Sequence, residues 1–291
     1  MKLRLGFSPC PNDTFIFDAL IHHKIDTEGL EFEVSYQDVE TLNQGAFRGD
    51  LDITKLSYHA FAFVTNQYQL LDAGSALGHG VGPLLICKDA SHIQPLQEEI
   101  QWNEATPATQ FTLNVAIPGK YTTANFLLGL AFPGLIHKQE TLFSSIETDV
   151  MEGKVDLGLI IHENRFTYEA KGLKKVLDLG SFWEKLTNLP IPLGGIVVKK
   201  ELDQELKQKI NRVLKKSVQY GFDHPDSGLD YIRQHSQEME EEVIYKHIEL
   251  YVNHFSLDLG VKGKSAITHL FKRAEQLKLI PHLKEGYFLN P

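Results

Sequence analysis

Cysteine is scarce. Cys10 and Cys87 are the only two in 291 residues, and they form neither a C-x-x-C pair nor any metal-ligand spacing. That sets aside a disulfide framework and a cysteine-held metal. Long apolar runs are missing as well: no stretch approaches the length that crosses a bilayer. The opening "MKLRLGFSPC" alternates and has no long apolar stretch of the kind a signal peptide carries. These features lead to the expectation of a cytoplasmic protein. Basic residues are in deficit, with 29 Lys and Arg against 38 Asp and Glu and a net charge of −9. A broad nucleic-acid surface needs the opposite balance, although a locally positive pocket for an anionic small molecule stays compatible with it. Three signatures also fail. "GHGVGP" (78–83) does not carry G-x-G-x-x-G between a strand and a helix, and "PGKYTT" (118–123) is not a phosphate loop. "HENRF" (162–166) has Phe166 where a zinc motif needs its second histidine.

What is present is soluble α/β material, 42% hydrophobic and 23% charged, in an amount that suggests two domains of ordinary size or one large one. Leu3, Leu5 and Phe7 alternate with Lys2, Arg4 and Gly6 and predict a first strand. The stiff turn "SPCPND" follows, with prolines on both sides of Cys10, and then a helix over about 13–24 capped by Asn12 or Asp13. "LEFEVSYQD", "LDITKLS" (51–57), "GPLLICK" (82–88), "LFSSIE", "VDLGLII" (155–161), "KKVLDLG" and "LGGIVVKK" read as further strands, and the chain after 201 is mostly helical. Residues 89–111 are polar and aperiodic and read as a connection or an insertion.

A weak internal repeat runs through this pattern. "RGDLDITKLSYHAF" (48–61) and "EGKVDLGLIIHENR" (152–165) place Gly49 against Gly153 and Asp52 against Asp156. Upstream of each lies a strand, a proline-containing turn and a polar helix start, "LGFSPCPNDTFIF" and "VAIPGKYTTANFL". Two similar α/β domains follow from this, with ligand-binding segments at the carboxyl ends of strands and at helix N-termini. Four segments land there: "SPCPND", "TKLS", "PGKYTT" and "IIHE".

Among those segments, His162 ends an apolar strand, where an imidazole is suited to general-base work or simply to capping a loop. Thr122 and Thr123 stand at a helix start, where hydroxyls and backbone N–H groups suit an anion, and where ordinary N-capping is at least as good a reading. Lys55 and Ser57 hold the corresponding place in the other half; Lys55 pairs with an anion or lies solvated at an edge. His22, His23, His247 and His254 read as surface or core histidines.

The longer motifs "GFSPCPNDTFIF", "DVETLN", "TKLSY", "GHGVGPL", "PGKYTTANFLL", "GLIIHENRFTY" and "YVNHFSLDLG" together resemble the 1,4-dihydroxy-6-naphthoate synthase family of the futalosine route to menaquinone, over residues from about 3 to about 262. The resemblance implies an α/β fold like that of type II periplasmic binding proteins, two lobes each with a mixed or parallel sheet flanked by helices around a ligand cleft. It implies a cytoplasmic lyase that cleaves cyclic dehypoxanthinylfutalosine to 1,4-dihydroxy-6-naphthoate without metal or organic cofactor. Carried over onto this sequence, it makes His162 the proton acceptor and Lys55, Leu56, Ser57, Thr122 and Thr123 substrate contacts; Asn12, Asp13, Gly82 and Arg165 stand beside these as cleft-lining candidates from their place in the sequence. The expected partner is a small molecule, with no nucleic acid or membrane, in a monomer or homodimer. The expected lobes are 1–88 with 197–291, and 112–196, joined through 89–111; "GHGVGP" is expected to serve as a hinge or lining loop, and the lobes to close on substrate. Two alternatives stand beside this: a chorismate dehydratase of the same pathway and fold, and a non-enzymatic solute receptor. "SPCPNDTF" and "IIHENRFTY" argue against the first, and the absence of a signal peptide and a lipoprotein cysteine against the second.

Overall fold

A computed structural model describes residues 2–101, 109–236 and 240–289. The strands are β1 (Lys2–Phe7), β2 (Glu31–Tyr36), β3 (Ile53–Ser57), β4 (Tyr68–Leu70), β5 (Ala76–Gly78) and β6 (Leu84–Cys87), followed by β7 (Val115–Ile117), β8 (Lys138–Glu140), β9 (Leu157–Ile160), β10 (Lys174–Asp178) and β11 (Ile191–Lys199). The helices begin with α1 (Pro11–Ile21), α2 (Val39–Arg48), α3 (Tyr58–Phe63), α4 (Ile93–Glu98), α5 (Thr123–Ala131), α6 (Ile146–Met151), α7 (Asn164–Thr167) and α8 (Leu179–Thr187). After β11 come α9 (Gln204–Asp223), α10 (Leu229–His235), α11 (Glu241–Tyr251), α12 (His254–Leu257) and α13 (Gly260–Gln276). Among the described residues, no helix is long and apolar enough to cross a membrane.

The chain divides into two compact units, Met1–Gly78 with Pro192–Pro291, and His79–Ile191. Unit one holds a sheet in the order β2-β1-β3-β11-β4, with β5 on β11; β1 runs parallel to β2 and β3, and β11 antiparallel to β3 and β4. Leu3, Leu5 and Phe7 of β1, Ile16 and Leu20 of α1 and Val213 of α9 belong to its core. Unit two holds a sheet in the order β10-β6-β9-β7-β8, with β7 parallel to β8 and β9, and β6 antiparallel to β9 and β10. Ile86, Ala116, Ile146, Val150 and Ile160 belong to its core.

The repeat seen in the sequence is present in hydrogen-bonded detail. In unit one the Arg4 N–H donates to Asp52 Oδ2 (2.9 Å), and the Asp52 N–H returns to the Arg4 carbonyl (3.0 Å). In unit two the Asn114 N–H donates to Asp156 Oδ2 (2.8 Å), and the Asp156 N–H returns to the Asn114 carbonyl (3.0 Å). Gly49 (φ 72°) caps α2 and Gly153 (φ 71°) follows α6, both in the left-handed region that ends helices. In each unit the aspartate just before one strand, β3 or β9, is thus clamped in the same way to the strand parallel to it, at Arg4 of β1 or at Asn114 just before β7.

Several boundaries differ from the sequence expectation. β6 lies in the sheet of unit two, whereas residues 82–88 were expected in the first lobe, and Pro192–Ile196 belong to unit one. A short apolar strand carries no information about its partner; only the register, Leu84 opposite Ile160 through Cys87 opposite Leu157, settles it. "LFSSIE" is a 3-10 turn at Phe143–Ser145 running into α6, not a strand. The strand of that region is β8, "KQE", whose half-buried and exposed polar residues gave no apolar signal. Part of 89–111 is structured: α4 buries Leu96, and Gln97 Nε2 donates to the Val176 carbonyl (2.9 Å). Residues 102–108 of that stretch lie outside the described residues.

Candidate active site

The opening turn explains itself at the start of α1. The helix begins at Pro11, whose fixed φ suits the first helical position, and Cys10 is the N-cap, so neither Asn12 nor Asp13 caps as expected. Asp13 instead turns its carboxylate onto the turn: Oδ2 accepts from the Ser8 hydroxyl (2.8 Å) and backbone (3.3 Å), and Oδ1 from Asn12 Nδ2 (2.8 Å). Lys55 Nζ, from β3, donates to the same Oδ1 at 2.7 Å. Asp13 is 1% exposed and Lys55 6%, so Lys55 is not a solvated edge lysine, and its ammonium is paired within the protein. Asn12 Oδ1 bonds in turn to Nε2 of the fully buried His247 of α11 (2.9 Å).

The neighbouring parallel strand ends alongside. Asn43, from "DVETLN", accepts the Ser57 N–H at its Oδ1 (3.1 Å) and donates from Nδ2 to Ser57 Oγ (3.3 Å), fixing the end of β3. Leu56, between Lys55 and Ser57 on β3, is buried.

Cys10 is buried and in no disulfide, and its carbonyl accepts from the Asp13 and Thr14 N–H groups (3.1 and 3.0 Å). It contributes backbone to the helix start. Cys10→Ser is therefore expected to keep most of the activity and the fold, since serine is a good N-cap. Covalent labelling of Cys10 by substrate would contradict this.

Unit two repeats the layout with different chemistry. β7 and β9 are parallel neighbours, so the start of α5 and the residues after β9 leave the sheet at one edge. Thr122 is the N-cap of α5: its Oγ1 accepts from the Asn125 N–H (3.2 Å) and donates to the Gly119 carbonyl (2.8 Å). Its hydroxyl serves the helix start. Thr123, the first helical residue, is buried beside it. Lys138 Nζ reaches Asn125 Oδ1 (2.9 Å), and burial holds that ammonium below its usual pKa.

β9 ends at Ile160, and His162 sits in the turn that follows with φ 57°, the left-handed region. A side chain there costs about 1–2 kcal/mol of backbone strain, which surrounding contacts must hold. Because the strand has ended, alternation of faces does not govern Glu163, which is buried as the N-cap of α7. The His162 imidazole remains partly exposed and meets the Phe143 ring edge-on, centroids 5.1 Å apart. In the repeat, Tyr58 holds the place of His162. It is fully buried, its hydroxyl shares a 2.8 Å bond with Ser75 Oγ, and burial pushes its phenol well above the ordinary pKa. The half-exposed titratable group belongs to unit two alone of these paired positions.

Arg165 and Gly82 are brought together: Arg165 Nη1 donates to the Gly82 carbonyl, and Nη2 to Asp178 Oδ2 at 2.7 Å. Asp178 caps α8 through the Gly180 and Ser181 N–H groups. The loop "GHGVGP" is held down further by Glu184, which accepts the Gly80 N–H (2.7 Å). A Cβ on Gly180 would lie 1.8 Å from the Val81 carbonyl oxygen, so only glycine permits this approach. Gly80 and Gly82 of this loop are thus held by residues of unit two, and the boundary between the units falls at its start, after Gly78.

Sequence reasoning missed Asn43, Glu147, Asp178 and the bond from His247 to Asn12. Each acts across 13 to 235 positions of sequence, where no local pattern signals it.

The sequence profile of the menaquinone biosynthesis family matches residues 3–276. The chain belongs to this family. A curated relative from Thermus thermophilus, named 1,4-dihydroxy-6-naphthoate synthase, is 45% identical over 273 residues, 94% of each chain. A second of the same name, from Streptomyces coelicolor, is 38% identical over 286 residues, 97% of this chain and 95% of its own. The relatives' names place this member of the family among enzymes of menaquinone biosynthesis. Among solved structures, a protein from Archaeoglobus fulgidus is 33% identical with a TM-score of 0.84, over 96% of this chain and 98% of its own. The ligand-binding component of an ABC-type import system from Staphylococcus aureus, 15% identical, has a TM-score of 0.69 over 100% of this chain and 97% of its own. The latter likeness is one of fold, and it identifies the periplasmic-binding-protein-like architecture that the motifs implied.

Proposed function

We propose that this chain is a 1,4-dihydroxy-6-naphthoate synthase, a carbon–carbon lyase that converts cyclic dehypoxanthinylfutalosine, the substrate implied by the motif resemblance, with His162 as general base. The single observation that carries the site assignment is the edge of the second sheet, where the strained His162 turn and the N-terminus of α5 follow adjacent parallel strands. One offers a proton acceptor, the other the Thr123 hydroxyl, backbone N–H groups and a helix dipole suited to a carboxylate. A neutral imidazole abstracts the first proton, and aromatisation of the dihydroxynaphthoate ring drives the cleavage. In unit one, Lys55 paired with Asp13 holds the opening turn, and Asn43 fixes Ser57 at the end of β3.

Thr123→Val tests the carboxylate site. It is expected to weaken substrate binding by about 1–3 kcal/mol in a folded protein, read by calorimetry with the inactive His162→Asn background. Unchanged affinity would place the carboxylate elsewhere.

The function itself is tested by incubating the purified protein separately with cyclic dehypoxanthinylfutalosine and with chorismate, following product by absorbance and mass. Naphthoate from the first and nothing from the second is expected. Dehydration of chorismate would replace this reading with the sister activity, and binding without conversion with that of a receptor.

A further inference from the structure

His162 is gripped from one short segment of chain. The 3-10 turn that begins at Phe143 sets the Phe143 ring against the His162 imidazole, and Glu147, in the first turn of α6, reaches the side chain of Asn164 just beyond it. Glu147 Oε2 accepts from Asn164 Nδ2 and from Lys171 Nζ (2.8 Å). Glu147 is 3% exposed, and its other oxygen, Oε1, is buried with no hydrogen-bond partner among the described residues. A carboxylate held in this way loses hydration that its packing does not replace, and apolar residues would fill the space at less cost. Its position has a geometric use. Asn164 lies two residues after His162, whose backbone is in the left-handed region and needs external constraint to stay there. The next residue, Arg165, is fixed separately by Asp178 and the Gly82 carbonyl. The turn bearing His162 is therefore anchored at consecutive residues on its far side and at its ring.

We propose that Glu147 is a positioning residue for His162: through Asn164 it holds the turn that aims the imidazole, and it touches no reacting atom itself. This rests on the reading of His162 as general base. Misplacing a catalytic group by about an ångström costs on the order of 10²-fold in rate. Glu147→Leu is thus expected to lower kcat by about that factor while KM changes by less than about threefold. Glu147→Gln keeps an acceptor for Asn164 and should retain most of the turnover, since the ion pair it weakens is with a Lys171 that is 43% exposed. Asn164→Ala removes the other end of the bond and should match Glu147→Leu, deciding the matter if the leucine variant does not fold.

The deciding experiment is the double variant. If Glu147 acts through His162, adding Glu147→Leu to His162→Asn lowers the residual rate no further. Additive losses, a glutamine variant as slow as the leucine one, or wild-type kcat in folded Glu147→Leu and Asn164→Ala would each overturn the proposal. Near-normal turnover in His162→Asn alone would instead overturn the base assignment, and the positioning role with it.

Discussion

Replacing His162 with asparagine is expected to reduce turnover by roughly 10²–10⁴-fold with substrate binding preserved. Asparagine is the informative substitute because the site has a positive φ. Among residues other than glycine, asparagine is among those that tolerate the left-handed region best, so the turn between β9 and α7 keeps its backbone at φ 57°. It retains hydrogen-bonding capacity and comparable bulk against Phe143 but cannot accept a proton near neutral pH. A structural histidine would behave differently. Its loss would lower the unfolding midpoint and raise KM, and kcat would fall far less. Steady-state kinetics together with calorimetric affinity for the same preparation separate the two. A folded His162→Asn protein with near-normal kcat would end the assignment.

The second large effect is on stability and lies in unit one. Lys55→Met is expected to destabilise the protein by about 3–5 kcal/mol, because it leaves the Asp13 carboxylate buried without its cation. Ser8 and Asn12 still donate to that carboxylate, and they do not neutralise it. The double variant Lys55→Met with Asp13→Leu should recover much of the loss, since a buried pair replaced by apolar residues is often close to neutral. Denaturant unfolding measures both. A midpoint unchanged by Lys55→Met would show that the pair contributes no net stability, and the account of the opening turn would fall with it.

Much of the architecture was legible because it is written in local alternation. Leu3, Leu5 and Phe7 face the core of unit one as their spacing required, and the Gly49/Asp52 and Gly153/Asp156 pairs marked a real structural repeat. β8, and the sheet to which β6 belongs, were not legible, for opposite reasons. β6 is apolar throughout and says nothing about which sheet takes it, while "KQE" of β8 has no apolar residue to announce a strand. At the site, the positions of His162, Thr122 and Ser57 at strand ends and a helix start could be read from residue order. Their partners could not. Asn43 for Ser57, His247 for Asn12 and Glu147 for Asn164 come from elements whose placement depends on the sheet order. Lys55 shows the limit plainly: its sequence context suits an anion equally well from substrate or from protein, and the fold supplies Asp13.

The most direct measurement is multiple turnover. Purified protein is mixed with a large molar excess of cyclic dehypoxanthinylfutalosine, and released 1,4-dihydroxy-6-naphthoate is quantified against time. Many equivalents of naphthoate per chain are expected, with His162→Asn run in parallel binding the substrate and releasing almost none. Wild-type protein that holds one equivalent of unchanged substrate, or a His162→Asn protein that matches it in naphthoate released, would contradict this.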